Sequence, residues 1–600
     1  MSHEVSKVVA VFLVEFDTKS GYKLQWSKSY SPLANFSLEG VEYKVLPSGV
    51  HETKEATVFI SQKVGGDIYY GVSCFNQFQI REVAEDEAVD RENLRMYAAG
   101  VLCKPRASEW KPNEFINNGW EYIDDLKKIL AELTIAVRQN NFTESTFNFD
   151  SFFKESDTFG KISPTLLQTT QDHQESRKSI NNQNHLLLKM PQLLHVLGPL
   201  VFVVFKQSLL RKNILLFNEL FLHAPHLGDD KQPRETTETK NKDQYALATS
   251  FSYLIAVLSV IPKDIKLANN PELRSQQPLY NVGLNELQSD VFESAGAQSG
   301  YIASTSDEIL KSHNKVYDVG VEVGDSVRVF SNQASKDPFK PQQKKLKATI
   351  RDYHKFQKLY TQYISTKSAT STSHLNNDST SNLNKTPSNN SSLTDMSPSE
   401  ELAEFTTTTA PKPPRKTYTD LSPPSAQLSN EPSWWRSQAV EPVSWSESVW
   451  SAFSWFASAG QNLDSEDECT QSPKISKTQN AQNVQNVQNV PVESSLELSG
   501  ILQLIGYFHK LTLSWFNHID QVLMERQSEE EAHFESAEDR ALVRQDSINL
   551  LHLSYQDMLE MDLDPYSWSD IEFLQEFVAL YYGDKVGKCQ IGYNLTNICC

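Results

Sequence analysis

Apolar and polar positions along the first hundred residues fall into short runs rich in β-branched and aromatic side chains, separated by turn residues. From Lys7 onward VVAVFLVEFD ends at Thr18-Lys-Ser-Gly21 and is answered by YKLQWS, which predicts a strand, a turn and a strand. EATVFIS (55–61), DIYYGVSCFN (67–76) and RMYAAGVLC (95–103) repeat the pattern, separated by Gly65-Gly66 and an acidic loop at 85–87. The period then changes. In WEYIDDLKKILAELTIAVRQN (120–140), Ile123, Leu126, Ile129, Leu130, Leu133 and Val137 recur at steps of three and four, one face of an amphipathic helix. The opening of the chain therefore reads as a small α/β domain with a mostly antiparallel sheet.

After a polar stretch (154–184) the chain runs LGPLVFVVFKQSLLRKNILLF from Leu197. The uncharged part ends at Lys206, short of the ~20 apolar residues that span a bilayer, and Arg211 and Lys212 interrupt the next apolar stretch, so a membrane span does not fit. Continuous Val and Phe without alternation suits a strand or a helix covered on both faces. SLLRKNILLFN then reads as a helix end running into a second buried strand. YALATSFSYLIAVLSVIP (245–262) comes after a charged loop at 228–243, and 279–331, with YNVGLNELQS, GYIAST and VYDVGVEVGDSVRVFS, continues as strand-rich. This is a second α/β domain.

From 366 to 431 the composition turns to Ser, Thr, Asn and Pro, a chain that buries too little apolar surface to offset its ordering entropy and is expected to be disordered. A second polar tract, 461–492, contains QNVQNVQNV (482–490), a unit far too short for a repeat fold. Helical patterning returns in LELSGILQLIGYFHKLTLSWFNHIDQVLME (496–525), as one long helix or two. For the closing SDIEFLQEFVALYYG, Ser569 is the expected N-cap, Glu572 its capping-box partner and Gly583 the C-cap.

Six hundred residues provide for several cores, while 39% hydrophobic against 22% charged residues is a globular composition diluted by polar segments. The net charge of −20 argues against a sequence-independent nucleic-acid binder. Met1 to Glu4 lack the features of a signal peptide, so the chain is expected in the cytoplasm, where Asn594-Leu-Thr596 meets no glycosylation machinery. Cys74, Cys103, Cys469, Cys589, Cys599 and Cys600 form no CxxC pair and no cluster with histidine, which supports neither a disulfide framework nor a metal site.

Candidate chemistry is sparse. There is no phosphate loop, nucleophile elbow or HExxH pair, and His223-Ala-Pro-His226 reads as turn histidines, so no catalytic residue, cofactor or metal is expected. Lys206, Arg211 and Lys212 can meet a phosphate or an acidic partner surface; the plainer reading, and the favoured one, sets them at the exposed end of a helix, where the dipole suits them. The segment 432–460 holds half of the chain's 10 tryptophans, Trp434, Trp435, Trp445, Trp450 and Trp455. Trp445, Val449, Phe453 and Phe456 share a helical face, as in an interfacial membrane helix, but no basic face accompanies them and Glu441 and Glu447 oppose anionic lipid. Packing onto a folded domain is the favoured alternative. Pro411, Pro414 and Lys416 have the PxxPx-basic spacing of a polyproline II ligand, which also arises by chance in such linkers, and Thr386-Pro387, Ser397-Pro398 and Ser422-Pro423 fit proline-directed phosphorylation. The terminal Cys599 and Cys600 offer two lipid attachments, as in a double-cysteine prenylation ending or a palmitoylation pair; against this stands an unmodified tail, and the two readings are level.

The run GPLVFVVFKQSLLRKNILLF resembles the GP-(apolar)-KxxLLRKxILx stretch of DENN-type proteins. VVAVFLVEFD, LEGVEYKVLPSG (38–49) and YYGVSCFNQ (69–77) precede it in the order found in the LCHN branch, and DPYSWSDIEFLQEFVALYYG (564–583) is similar to the way those chains close. The resemblance covers roughly 5–365 and 430–585. It implies a longin-like module (1–150), a DENN α/β core (185–365) and a helical C-terminal part (493–585), between and after which composition sets a disordered linker (366–431), a Trp-rich segment packing on the DENN module (432–460), a low-complexity linker (461–492) and a tail (586–600). It further implies a trafficking regulator that exchanges guanine nucleotide on a Rab-type small GTPase, with a non-catalytic Rab-binding adaptor as the alternative; a third reading, a lipid-anchored scaffold, rests on Cys599, Cys600 and Pro411 to Lys416. The long 366–431 insertion and the double cysteine depart from the branch, and no residue-level site comes with the resemblance.

Overall fold

The computed structural model describes residues 8–17, 19–29, 37–47, 53–64, 67–80, 93–103, 118–139, 184–218, 244–267, 271–289, 291–324, 326–333, 342–373, 431–442, 492–533 and 550–592. The first of two sheets is built from β1 (Val8–Asp17), β2 (Gly21–Ser29), β3 (Glu55–Val64), β4 (Asp67–Gln79) and β5 (Leu94–Cys103), in the order β2-β1-β5-β4-β3. Every pairing in it is antiparallel. Helix α1 (Ile123–Arg138) buries Ile123, Leu126, Leu130 and Leu133, while Ile129 and Val137 sit at the half-buried margin. Each side chain so buried contributes roughly 1.5–3 kcal/mol. On the sheet's opposite face Ala10, Phe12 and Val14 pack with Leu38, Val41, Val45 and Leu46.

The long apolar run is a bent helix pair. Helix α2 (Met190–Leu197) meets α3 (Leu200–Leu209) at 115°, with Gly198 at φ +53 in the corner. A left-handed residue followed by proline ends one helix and starts the next. Leu200 to Phe205 are all buried, and the chain then enters β6 (Ile214–Asn218), buried along its whole length. Among the described residues no single helix is long and apolar enough to cross a membrane.

Strand β6 forms the middle of the second sheet, with β7 (Gln277–Leu279) and β8 (Tyr301–Thr305) on one side and β9 (Val319–Val323), β10 (Val327–Gln333) and β11 (Gln342–Leu346) on the other, in the order β11-β10-β9-β6-β8-β7. Its pairings with β8 and β9 are parallel, which explains an apolar run without alternation: both faces are covered. Helix α4 (Gln244–Leu258) packs against both β3 and β8 and so serves both sheets.

Several expectations are corrected. YNVGLNELQS is not a strand: α5 (Leu284–Gln288) and α6 (Val291–Gln298) occupy that stretch, because the Glu286 carboxylate reaches back to the Gly283 N–H at 2.6 Å and starts a helix. Helix α7 (Ile350–Ser373) runs past the expected linker start at 366. Of the two alternatives for 496–525 the single long helix holds: α9 (Val492–His533) begins at the last residue of the tract 461–492, and the short α8 (Trp434–Ser437) precedes it. In α11 (Trp568–Tyr582) the N-cap is Ser567, not Ser569, while Gly583 is the C-cap as expected, right-handed at φ −55. Glu572 pairs with Lys344 at 2.7 Å instead of closing a capping box. Part of the expected tail is a strand, β13 (Lys588–Ile591), parallel to β12 (Leu550–Leu553); between them lie α10 (Tyr555–Glu560) and α11. The core of this C-terminal part is aromatic, with Phe205, Phe508, Trp515 and Phe573 in contact and Phe516 against Phe577.

Candidate functional site

The two sheets share a buried seam. Lys44 donates to the Ser61 carbonyl at 2.8 Å and pairs with Glu286 at 2.7 Å, with both side chains almost fully enclosed. Asn281, left-handed at φ 47, donates back to the Lys44 carbonyl at 2.6 Å. The backbone N–H of Tyr280 donates to Ser61 Oγ at 2.9 Å, and its hydroxyl donates to Asn118 Oδ1 at 2.7 Å. Its ring lies edge-on to Tyr70 at 5.6 Å, and burial pushes the phenol far above its ordinary range, so it acts as a donor and not as an acid. One residue of the second sheet's border is thus fastened to the first sheet by backbone, ring and hydroxyl.

Beside this fastening lies a crevice outside the carboxyl ends of β6 and β8, where the strand order reverses on either side of β6. That is where open α/β sheets place ligands. Val58 of β3 and Tyr245 and Thr249 of α4 wall it, and Asn218, Ser304 and Thr305 supply polar groups. Asn218 donates to Ser304 Oγ at 2.6 Å and to the Ala248 carbonyl at 3.3 Å. The free volume is about 20 Å³, room for one water and not for a nucleotide or metabolite. The geometry serves to hold the two sheets in one relative orientation.

The three basic residues singled out from the sequence lie elsewhere, and two are inside the protein. Lys206 is 5% exposed and bridges Asp352 of α7 at 2.6 Å and Asp570 of α11 at 2.5 Å. Burial alone would lower its pKa; the two carboxylates outweigh that and raise it. Burial also opposes the charge on Asp352, but Lys206 and Lys355 hold that carboxyl down at about 2, whereas burial and the neighbouring Asp352 lift Asp570 to about 6. Arg211, 8% exposed and left-handed at φ 57, spends its guanidinium on the carbonyls of Ser208, Ser259, Leu273 and Arg274, at 2.8–3.4 Å. The expected exposed helix end is therefore corrected for both: the dipole argument holds for Arg211 at the ends of α3 and α4, but the solvent is replaced by protein. Lys212 remains partly exposed and pairs with Glu576 at 2.7 Å. Lys206 fastens α7 and α11 onto α3, Lys212 adds a pair to α11 and Arg211 ties the end of α3 to residues 259–274, so the three present no joint basic patch.

Trp435 is buried against His195, Phe356 and Tyr360, and Trp434 is half-buried. Pro411, Pro414, Lys416, His223, His226, Trp445, Val449, Trp450, Phe453, Trp455, Phe456, Cys599 and Cys600 lie outside the described residues. Sequence reasoning did not single out Lys44, Tyr280, Asn281 or Glu286. The only local signal was Asn281 before Val282-Gly283 at a strand end.

Two sheets joined through buried polar struts, with a helical C-terminal part fastened across the second, make a mixed α/β scaffold. Comparison with known proteins narrows this to one family. The model of DENN domain-containing protein 11 matches residues 11–333, more than half of the chain, and the chain belongs to that family. A domain of unknown function matches 440–599. Among relatives, an uncharacterized protein of Saccharomyces cerevisiae, ANR2, is 25% identical over 53% of this chain and 58% of its own length. DENN domain-containing protein 11 of Xenopus laevis is 23% identical over 59% of this chain and 67% of its own, and that of Mus musculus 21% over 53% and 58%.

Proposed function

We propose that the protein regulates membrane traffic as a guanine-nucleotide exchange factor for a Rab-type small GTPase, at the cytoplasmic face of an endomembrane. The observation that carries this reading is family membership over 11–333, a stretch containing the first sheet, most of the second and the seam between them. DENN proteins as a class act on Rab GTPases, and in this reading the five-stranded sheet with α1 is the longin-like module. Exchange makes no covalent bond. A surface that binds the nucleotide-free GTPase better than the loaded one shifts the population and releases the nucleotide. A seam fixed by Lys44, Glu286 and Tyr280 supports that role, since holding a partner in one conformation calls for a surface that does not itself deform.

The test is release of fluorescent GDP from a panel of Rab proteins with catalytic amounts of the full chain, with and without membranes. Acceleration with one Rab is the expected result. Binding of GTP-loaded Rab without acceleration would replace exchange by an adaptor role. Two accessory features belong to the same reading. Cys599 and Cys600 would attach lipid, and replacing both with serine should abolish membrane partitioning. Pro411, Pro414 and Lys416 would dock a polyproline-binding domain, and Pro414→Ala should remove that binding.

A further inference from the structure

A short segment, described between the tracts 374–430 and 443–491, is seated in a groove of the folded core. Trp435, Ala439 and Glu441 all reach the core. Trp435 enters a pocket walled by His195, Phe356 and Tyr360, with ring centroids at 5.4, 4.9 and 5.1 Å and all three rings edge-on to the indole. The pocket exists because residue 198 has no side chain: a Cβ on Gly198 would overlap the indole nitrogen. His195 is itself held to the Tyr360 hydroxyl at 2.7 Å, so the walls are preset. Four residues on, Ala439 is buried, while Arg436, Ser437 and Gln438 between them face solvent. The backbone then pairs with the core: Ala348 N–H donates to the Ala439 carbonyl and Glu441 N–H to the Ala348 carbonyl, both at 2.8 Å, as a parallel bridge. Last, the Glu441 carboxylate accepts from the hydroxyls of Ser567 and Ser569, at 2.8 and 3.0 Å, at the start of α11.

An aromatic anchor in a pocket, one rung of strand pairing and a charged end on hydroxyl donors are the means by which grooves read peptides. The indole differs from that of a built-in core tryptophan. Trp515, also fully buried, donates its Nε1–H to the Met561 carbonyl at 2.7 Å, whereas Trp435 Nε1 is buried with no hydrogen-bond partner among the described residues. An unmet buried donor weakens the seat, which suits a ligand that leaves.

We propose that the groove between α2, α7 and the start of α11 is a peptide-binding site whose occupant in cis is Trp435–Glu441. It takes a peptide bearing a tryptophan and, six residues later, a carboxylate. Release of the cis segment opens the groove to a partner carrying the same pattern. This does not depend on exchange activity.

The test uses the full chain and a fluorescein-labelled peptide of residues 431–442, read by anisotropy. Trp435→Ala empties the pocket, and that variant should bind the peptide saturably, while the same peptide carrying Trp435→Ala should not bind. The wild-type chain should bind about 10–100-fold more weakly, because its own segment competes at the high effective concentration of a tethered ligand. Three results would overturn the proposal: a folded Trp435→Ala variant that does not bind the peptide, equal binding by variant and wild type, or loss of the cooperative urea transition in the variant. The last would make the segment a permanent part of the core.

Discussion

At the scale of residues, the cluster around Lys206 shows how little a charged motif reveals of its surroundings. Lys206 and Arg211 look in sequence like a basic edge, yet their partners Asp352, Asp570, Ser259, Leu273 and Arg274 are 48 to 364 residues away along the chain. Lys206→Met leaves the buried Asp570 without its cation and Asp352 with Lys355 alone, and should cost about 3–5 kcal/mol in urea denaturation. Lys212→Glu changes only a partly exposed pair and should shift stability by less than about 1 kcal/mol, which makes it the one of the three usable for probing a partner surface. The pH dependence has a defined sign. Asp570 is raised, so its contribution is fully present below the unfolded carboxyl value near 4 and is lost as pH rises to about 6. Asp352 is lowered, so its contribution is present above about 4 and lost as pH falls toward 2. Asp570→Asn should therefore remove the decline between pH 4 and 6 relative to wild type, as measured by urea midpoints across that range.

At the scale of elements, period was a reliable guide for α1, whose inner face follows from three- and four-residue spacing because one stripe meets the core. The strands of the first sheet were legible from β-branched and aromatic runs between turn residues instead, since β1, β3, β4 and β5 are buried on both faces. Leu126→Ala should cost about 2–5 kcal/mol, since the side chain is fully enclosed, while Ile135→Ala on the exposed face should cost less than about 1 kcal/mol, both read from thermal or urea unfolding. Period failed where both faces were covered. The run from Leu200 is a helix and the run from Ile214 a strand, and hydropathy alone does not separate them. The short helices at 284–298 were lost to strand-like composition, and the N-cap of α11 lies two residues before the expected one, at Ser567.

At the scale of the whole molecule, the seam couples the sheets through a buried ion pair and one tyrosine. Lys44→Met should leave Glu286 without its partner and raise amide hydrogen exchange along β3 and residues 280–289 before the rest of the two sheets. If that exchange rises uniformly instead, the seam is not an independent strut. The resemblance to DENN-type proteins was legible in the chain alone, from the order of four motifs, and the family match confirms it. Everything else the chain alone specified was local: the strands of the first sheet and the first helix. Pairing between distant positions came only with folding: Lys206 with Asp570, Lys44 with Glu286, Trp435 with Gly198. Local pattern reports which side of an element avoids water. It does not report which distant group fills the space there, because that depends on how the whole chain closes.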